Sequence, residues 1–330
     1  MNIKKIGLTA LAGSLVATSA MAGELSLSGG AKLSYVSNGG LKANDNQKAS
    51  GFAMDQEISA SGSGELDNGF TVTLTHGMSG EETAKSDTSS ITLDMGDMGT
   101  LAYSDADIGG GLTALDNIMP TAYEEANDGI GGSATANVAA MPSGQGFSYS
   151  TTIAGATIGV NASDNLSAST DRTDGEVDTT ADGNGSSSSI GIQYPVADLG
   201  LTVFGGTGTE GQADDKDIDH TTYGVLYSYG PVTVGYQNND EDDSAASSAV
   251  DLETEIVGIS FMVNDNLSVS YQEMETTKSG TTADQEIESM QVSYSMGGMS
   301  INVKDSEGTN IGNATASTHE TTEVLVTFAF

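Results

Sequence analysis

Hydrophobic and polar residues alternate with a period of two along most of the chain. In the first such stretch Leu25, Leu27 and Leu33 fall on one face of an extended strand, while Ser26 and Lys32 fall on the other. About sixteen stretches of this kind follow one another up to the last residue, Phe330. Because a strand points successive side chains to opposite faces, the pattern predicts an all-β protein.

Short turns and long polar connections follow each other in regular order between these stretches. Residues 66–69, 96–99 and 297–298 are short, Gly-containing turns, whereas residues 163–187 and 238–243 belong to long polar connections. This rhythm is typical of a transmembrane antiparallel β-barrel of about 16 strands, with turns at one end and loops at the other. A soluble β-sandwich would also alternate, but the rhythm and the Ser-, Thr- and Gly-rich polar face favour the barrel.

The longest interval without alternation covers residues 105–142, which we take as the third long loop. It is acidic and Gly-rich, and it also contains apolar residues such as Leu112, Leu115 and Met119, which are poorly suited to a free surface loop. We therefore expect this third loop to fold into the lumen, with its apolar residues against the inner wall. A flexible acidic surface loop is the alternative.

The first 22 residues have the pattern of a cleaved signal peptide. Lys4 and Lys5 precede an apolar, small-residue run that ends in Ala20-Met21-Ala22, so the mature chain is expected to be one barrel domain over residues 23–330. The run is too short and too rich in small residues to favour a membrane anchor.

Composition narrows the possible functions. The chain has 10 Lys and Arg against 46 Asp and Glu, a formal net charge of −36, which becomes −38 when Lys4 and Lys5 are removed with residues 1–22. Such a charge repels phosphate backbones, so nucleic acid is not an expected partner. There is no Cys, which excludes disulfides and thiol chemistry. No later apolar run approaches the length of a spanning helix, so membrane insertion would require a barrel.

Three features resemble one known family. They are the Ala20-Met21-Ala22 ending of the signal, the sequence of residues 99–105 (GTLAYSD) that leads into the long third loop, and the C-terminal residues 324–330 (VLVTFAF). Together with the alternating strands, they are similar to Gram-negative general diffusion porins of the alphaproteobacterial type. The resemblance implies a homotrimeric sixteen-stranded barrel in the bacterial outer membrane. It further implies a third loop that narrows the pore, and a terminal Phe330 that serves as the assembly signal for the barrel insertion machinery.

The polar face differs from that family in its charge, because the basic cluster usual opposite the acidic loop is nearly missing. By parity, Lys32 and Lys304 are the basic residues of this face, among many Ser, Thr, Asn and Gln. The residues expected at the pore constriction are Asp55, Glu57, Asp94, Asp105, Asp107, Asp116, Glu124, Glu125, Asp128 and Lys32. Their net negative charge predicts a preference for cations and neutral solutes over anions.

Other chemistry finds little support in the sequence. His76, His220 and His319 are far apart and lack the spacing of metal ligands. Residues 212–219 and 238–243 are dense in carboxylates that suit Ca²⁺, although neither matches an EF-hand, and a solvated charge run is the favoured interpretation. No nucleophile with a base is legible, so no enzyme activity and no cofactor are expected.

Two functions of different classes remain open. The first is a porin that lets small hydrophilic solutes and cations diffuse through a water-filled channel. The second is a structural or adhesive acidic surface barrel whose long loops bind partners or divalent cations. In either case the expected partners include further copies of the chain and the lipid of the outer membrane.

Overall fold

The chain forms sixteen antiparallel strands in a computed structural model. The structure describes residues 25–38, 50–80, 85–106, 108–130, 145–164, 186–196, 199–211, 217–243 and 250–330. The first eight strands are β1 (Leu25–Asn38), β2 (Gly51–Glu65), β3 (Thr71–Ser79), β4 (Lys85–Asp94), β5 (Thr100–Ser104), β6 (Gly146–Ile153), β7 (Ala156–Asp164) and β8 (Ser186–Val196). The others are β9 (Leu201–Gly211), β10 (Asp217–Tyr229), β11 (Val232–Asp243), β12 (Leu252–Asn264), β13 (Leu267–Lys278), β14 (Gln285–Met296), β15 (Met299–Thr309) and β16 (Thr318–Ala329).

Every strand pairs with its neighbours in sequence, and β1 pairs with β16, so the sheet is a closed barrel. The prediction of a sixteen-stranded antiparallel barrel is therefore confirmed. Closure depends on the last residue, because the backbone N–H and C=O groups of Phe330 both bond to Gly29 at 2.9 Å. The Phe330 side chain is 80% exposed. Its recognition as an assembly signal stays a prediction.

The two faces of the wall differ as the alternation predicts. On one face, which we call the apolar face, large hydrophobic side chains such as Leu27 and Phe52 are more than two-thirds exposed. The opposite face, which we call the polar face, carries mainly Ser, Thr, Asn and Gln. Register keeps the faces separate from strand to strand, since Val303 lies opposite Val324 and Lys304 lies opposite Glu323.

The short turns are built as the sequence indicates. The 66–70 turn is closed by the Leu66 N–H donating to the Phe70 carbonyl at 2.7 Å. Gly99, after the turn that follows β4, has a φ of +94°, and a Cβ there would lie 2.2 Å from the Ser150 carbonyl oxygen. A side chain at this position would therefore be both strained and in collision with β6.

The acidic runs differ from the expectation, because much of their length is strand and not loop. Residues 217–219 begin β10 and residues 238–243 end β11, with Asp219 opposite Asp242 in the register. Alternation sends Asp240 and Asp242 to the apolar side and Glu241 to the polar side. The period-two signal is hidden here because both faces carry polar residues where the strands extend past the apolar band.

Acidic side chains also continue the apolar face of later strands beyond its hydrophobic part. Glu275 lies between Glu255 and Glu286, and Glu288 lies between Glu273 and Glu307. All of these side chains are exposed. Much of the large negative charge is therefore placed on the side of the wall opposite to the polar face.

Helices are few and short in the described part of the chain, and none of them has the length and apolar character needed to cross a membrane. The proposed signal peptide, residues 1–22, lies outside the described residues.

Candidate functional site

Residues 108–130, the described part of the third loop, lie against the polar face of the wall. We call them the inner segment. Its 3-10 helix, Gly111–Leu115, packs on β7, β8 and β9. The Leu112 N–H donates to Ser189 Oγ at 2.9 Å, and Asn161 Nδ2 donates to the Gly110 carbonyl at 3.0 Å. The segment begins its course along the wall one strand earlier, at β6, where a Cβ on Gly146 would lie 2.5 Å from Ile108 Cδ1.

Amide side chains of the polar face hold the rest of the inner segment. Gln193 Nε2 donates to the Ala114 carbonyl at 3.0 Å, and Gln237 Nε2 donates to the Leu115 carbonyl at 3.3 Å. Farther along, Gln291 accepts the N–H groups of residues 123 and 124 and donates to the carbonyl of residue 124. An amide carries both donors and an acceptor, so it suits a wall that must bond to another backbone.

Glycines of the polar face let the segment approach the wall closely. A Cβ on Gly191 would lie 2.2 Å from the Gly111 carbonyl oxygen, and one on Gly258 would lie 3.0 Å from the Pro120 carbonyl oxygen. A Cβ on Gly235 would lie 2.7 Å from Pro120 Cδ. We call these glycine positions, at which the segment rests on the wall, its seats. Sequence reasoning missed them, although each is a Gly at a polar-face position of a strand.

Hydrophobic residues on the polar face form a core with the inner segment. Ile256, Met274 and Ile287 point to this face of β12, β13 and β14 and are 0% exposed. They cluster with Leu115 and Met119 of the segment, and with Leu112, Ala126, Ile130, Phe204 and Ile311. Apolar residues at polar-face positions, out of phase with the strand pattern, were the sequence signal for this covered region.

Lys304 on β15 bonds to the inner segment through three acceptors. Its Nζ donates to Glu124 Oε1 at 3.0 Å, to the Glu125 carbonyl, and to the Asp128 carbonyl at 2.6 Å. The side chain is 1% exposed, while that of Glu124 is 24% exposed. Lys304 was expected to be a bare wall cation, whereas the structure shows that its charge is used on the segment.

Glu323 of β16 is an acid of this site that sequence reasoning left out. It lies opposite Lys304 in the register, and a Cβ on Gly129 would lie 4.0 Å from its Oε2. Glu323, Glu124, Glu125 and Asp128 lie next to Lys304, and the charge of Asp116 interacts with that of Asp128; we call these five acids the acidic cluster. The sequence signal for Glu323 was its place in the alternation, because its neighbour Val324 is on the apolar face and Glu323 is therefore on the polar face.

Asp116 is an acid of the cluster whose pKa is shifted by its surroundings. Burial raises the pKa of its carboxyl above the usual range. A hydrogen bond from the backbone of Asn117 opposes this effect, while the negative charge of Asp128 adds to it. The Asp128 carboxylate also accepts the Glu125 N–H at 3.1 Å, which closes a turn of the segment. The Asp128 carboxylate of the cluster therefore also has a structural role within the segment.

A second set of charged side chains lies on the polar face of β1 and β2. Lys32 lies opposite Asp55 and Gly30 lies opposite Glu57 in the β1–β2 register. Lys32 and Glu57 are exposed, and Asp55 is half-buried. These three expected site residues form a second charged group, on another part of the wall from the acidic cluster.

Two expected site residues lie away from both groups. Asp94 Oδ1 accepts the Gly96 N–H at 2.9 Å, so its carboxylate serves the short turn after β4. Asp105 is exposed and continues the β4–β5 ladder, where its Oδ1 accepts the Ser89 N–H at 2.6 Å. Neither is brought to Lys304, because local backbone N–H groups hold both carboxylates at strand ends. Asp107 lies outside the described residues.

The histidines do not come together. His220 is 3% exposed, with Nε2 3.6 Å from Glu210 Oε2 and Nδ1 3.9 Å from Glu241 Oε2. These acids lie at opposite ring nitrogens, so they do not share one ion with the imidazole. No group of three or more Asp, Glu or His side chains is arranged to hold a metal in the described ranges.

Solved structures share this architecture. A porin refined at 1.8 Å resolution has 16% identity and a TM-score of 0.68, with 93% of this chain and 100% of that chain covered. The OmpF porin of Salmonella typhi in complex with daunomycin has 12% identity and a TM-score of 0.68, with 93% and 98% covered. An anion-selective porin from Comamonas acidovorans has 13% identity and a TM-score of 0.66, with 93% and 99% covered.

At the level of sequence, no curated protein matches the chain. The family model described as Gram-negative porin matches residues 7–324, which is nearly the whole length. This match agrees with the closed sixteen-stranded barrel and with the porin structures that share it. The chain therefore belongs to the Gram-negative porin family.

Proposed function

We propose that this porin is an outer-membrane diffusion channel that prefers cations and that the inner segment lies in its lumen. Family membership supports a passive channel in the outer membrane and favours it over the adhesive surface barrel. The position of the inner segment is inferred from its contacts, which all go to the polar face. In a closed barrel with an exposed apolar face, the polar face is the one that lines the channel.

Whether the channel prefers cations or anions must be argued from particular residues, because the fold alone does not set the ion preference. The porin from Comamonas acidovorans is described as anion-selective, and it shares this fold. The large net charge is also a weak argument, since many acids continue the apolar face. What supports a cation preference is the acidic cluster, which contains five acids and is accompanied by a single lysine, Lys304.

The charges near the inner segment do not cancel. Lys304 is matched by Glu124 at 3.0 Å, which leaves Asp116, Asp128 and Glu323 without a matching cation of the described part. The described lysines are Lys32, Lys85, Lys278 and Lys304, and the first three lie on β1, at the start of β4 and at the end of β13. In a narrow site with an effective dielectric constant below that of water, each open carboxylate attracts a passing cation by on the order of 1 kcal/mol.

Reversal potentials across a KCl gradient test this proposal. The double variant Asp116→Asn with Glu323→Gln should move the potential toward the unselective value, most clearly at low salt, where screening is weakest. Lys304 and its partner Glu124 stay intact in this variant. Purified protein in a planar bilayer gives the measurement.

A matched control comes from the same chain. Asp240→Asn with Asp242→Asn removes the same charge from exposed positions on the apolar side of β11, and it should leave the reversal potential nearly unchanged. A native channel that prefers chloride, or a larger shift from the control pair, would contradict the assignment.

We further propose that the porin is a homotrimer with its early strands at the interface. At Ala60, Gly62 and Gly64 the apolar-face positions of β2 are small, and such a surface packs better against a neighbouring subunit than against lipid. The mass of the particle extracted in mild detergent should be that of three chains. A single-chain mass would disprove this.

A further inference from the structure

Lys304 is a lysine with every donor in use. Its ammonium group has three N–H bonds, and the three acceptors on the inner segment account for all of them. All three acceptors lie within residues 124–128. The aliphatic part of the side chain is enclosed as well, since the whole residue is 1% exposed. Such a group offers little open charge to a passing ion.

The choice of bonding partners is informative, because Lys304 has an acidic neighbour on the adjacent strand of the sheet. Glu323 is the cross-strand neighbour of Lys304, and cross-strand pairs of opposite charge commonly bond. The three hydrogen bonds of the ammonium nevertheless go to the inner segment, two of them to backbone carbonyls. Backbone acceptors fix the path of the chain, not only the position of one side chain.

We propose that Lys304 is a positioning residue of the constriction, which fastens residues 124–128 to β15 and leaves the Glu323 carboxylate facing the channel. This inference rests on the proposed function, since it gives Lys304 a place within the cation path. The bonds are charge-assisted and shielded from water, where such bonds are strongest. The neighbouring anchors, Gln272 and Gln291, are neutral amides and hold the same stretch less tightly.

Lys304→Met is tested against Lys32→Met, which removes the same charge from an exposed residue of β1 that lies opposite Asp55 in the β1–β2 register. If Lys304 acted only through its charge, both variants would strengthen the cation preference and keep a steady current. We expect current fluctuations in Lys304→Met alone. The population of displaced segment should rise roughly tenfold to a hundredfold, as for the loss of a hydrogen bond to a charged group.

A disulfide separates loss of position from failure to fold. The chain has no Cys, and the Ala122 N–H donates to Ser270 Oγ at 2.8 Å, so Ala122→Cys with Ser270→Cys can link the segment to β13. Lys304→Met is prepared in this oxidised background. The current should be steady until a reductant is added and should fluctuate afterwards, whereas the linked protein with Lys304 should stay steady throughout.

Each outcome has a separate meaning. Equal noise in the two lysine variants, or a steady current after reduction, would overturn the role of Lys304. A native protein that forms no ohmic channel, or that prefers chloride, would overturn the proposed function instead. These results come from different proteins, the variants in the first case and the native chain in the second, and so they cannot be confused.

Discussion

The polar face of β1 to β5 and that of β6 to β15 follow the same alternation and serve different purposes. On β6 to β15 the buried polar side chains include Asn161, Gln237, Gln272 and Gln291, which bond to the inner segment or lie beneath it. On β1 to β5, Ser104 is the one polar side chain that is buried in the described residues. One part of the wall therefore seats the segment, and on the proposed function the other faces the open channel.

Residue choice differs between the two parts for physical reasons. A seat needs room for a backbone, which Gly191 and Gly258 provide, and apolar contact, which Ile256 and Met274 provide. It also needs amides to satisfy the N–H and C=O groups of the segment, since a buried group without a partner is costly. A wall that faces water needs none of these, and short hydroxyl side chains suffice. The part of the wall that holds the segment and the part that faces water therefore differ in their residues because they have different tasks.

The largest expected effect comes from filling a seat. In Gly191→Val the first side-chain atom would lie 2.2 Å from the Gly111 carbonyl oxygen, so the inner segment must move away from β8. Overpacking of this kind costs about 1–3 kcal/mol. We expect a lower temperature for loss of the folded band in gel electrophoresis, and a larger, less cation-selective conductance because the constriction is displaced.

Ser63→Val is the control for this change, on the polar face of β2. It adds the same side chain to the part of the wall that faces the channel, so stability and conductance should change little. If both variants behaved alike, the division of the wall into seat and open part would be wrong.

The fold was predictable from the sequence because it depends on one strong signal. Alternation, turn residues and the order of long and short connections each indicated a barrel of about sixteen strands. The signal failed at residues 217–219 and 238–243, where strands continue past the apolar band and both faces are polar. There the hydrophobic pattern carries no information on strand length, although hydrogen bonding between the strands continues.

The candidate site was predictable only in part. Parity selected the correct face for Gln237, Gln272, Gln291 and Lys304, but it says nothing about which other chain segment covers that face. Asp94 and Asp105 were expected at the constriction, and local N–H donors hold them elsewhere. The out-of-phase Ile256, Met274 and Ile287 carried the missing information, because an apolar residue on a polar face implies a cover.

The smallest expected effect is a pH dependence of selectivity, which sharpens the contrast between the two parts of the wall. Burial against the seat raises the pKa of Asp116, with Asp128 adding to the rise. A carboxyl with a raised pKa takes up its proton at a higher pH than an exposed one. As the pH falls from neutral, Asp116 should therefore lose its charge before exposed acids do, and part of the cation preference should disappear at a higher pH than the rest.

Reversal potentials measured from pH 7 downward show whether this early loss exists. In Asp116→Asn the starting preference should be lower, by on the order of 1 kcal/mol or less, and the early loss should be smaller, because one of the groups that titrate early has been removed. Glu57→Gln, on the exposed part of the wall, should keep the full early loss. An early loss that is undiminished in Asp116→Asn would mean that other acids of the channel account for it and that burial of Asp116 does not set the pH dependence.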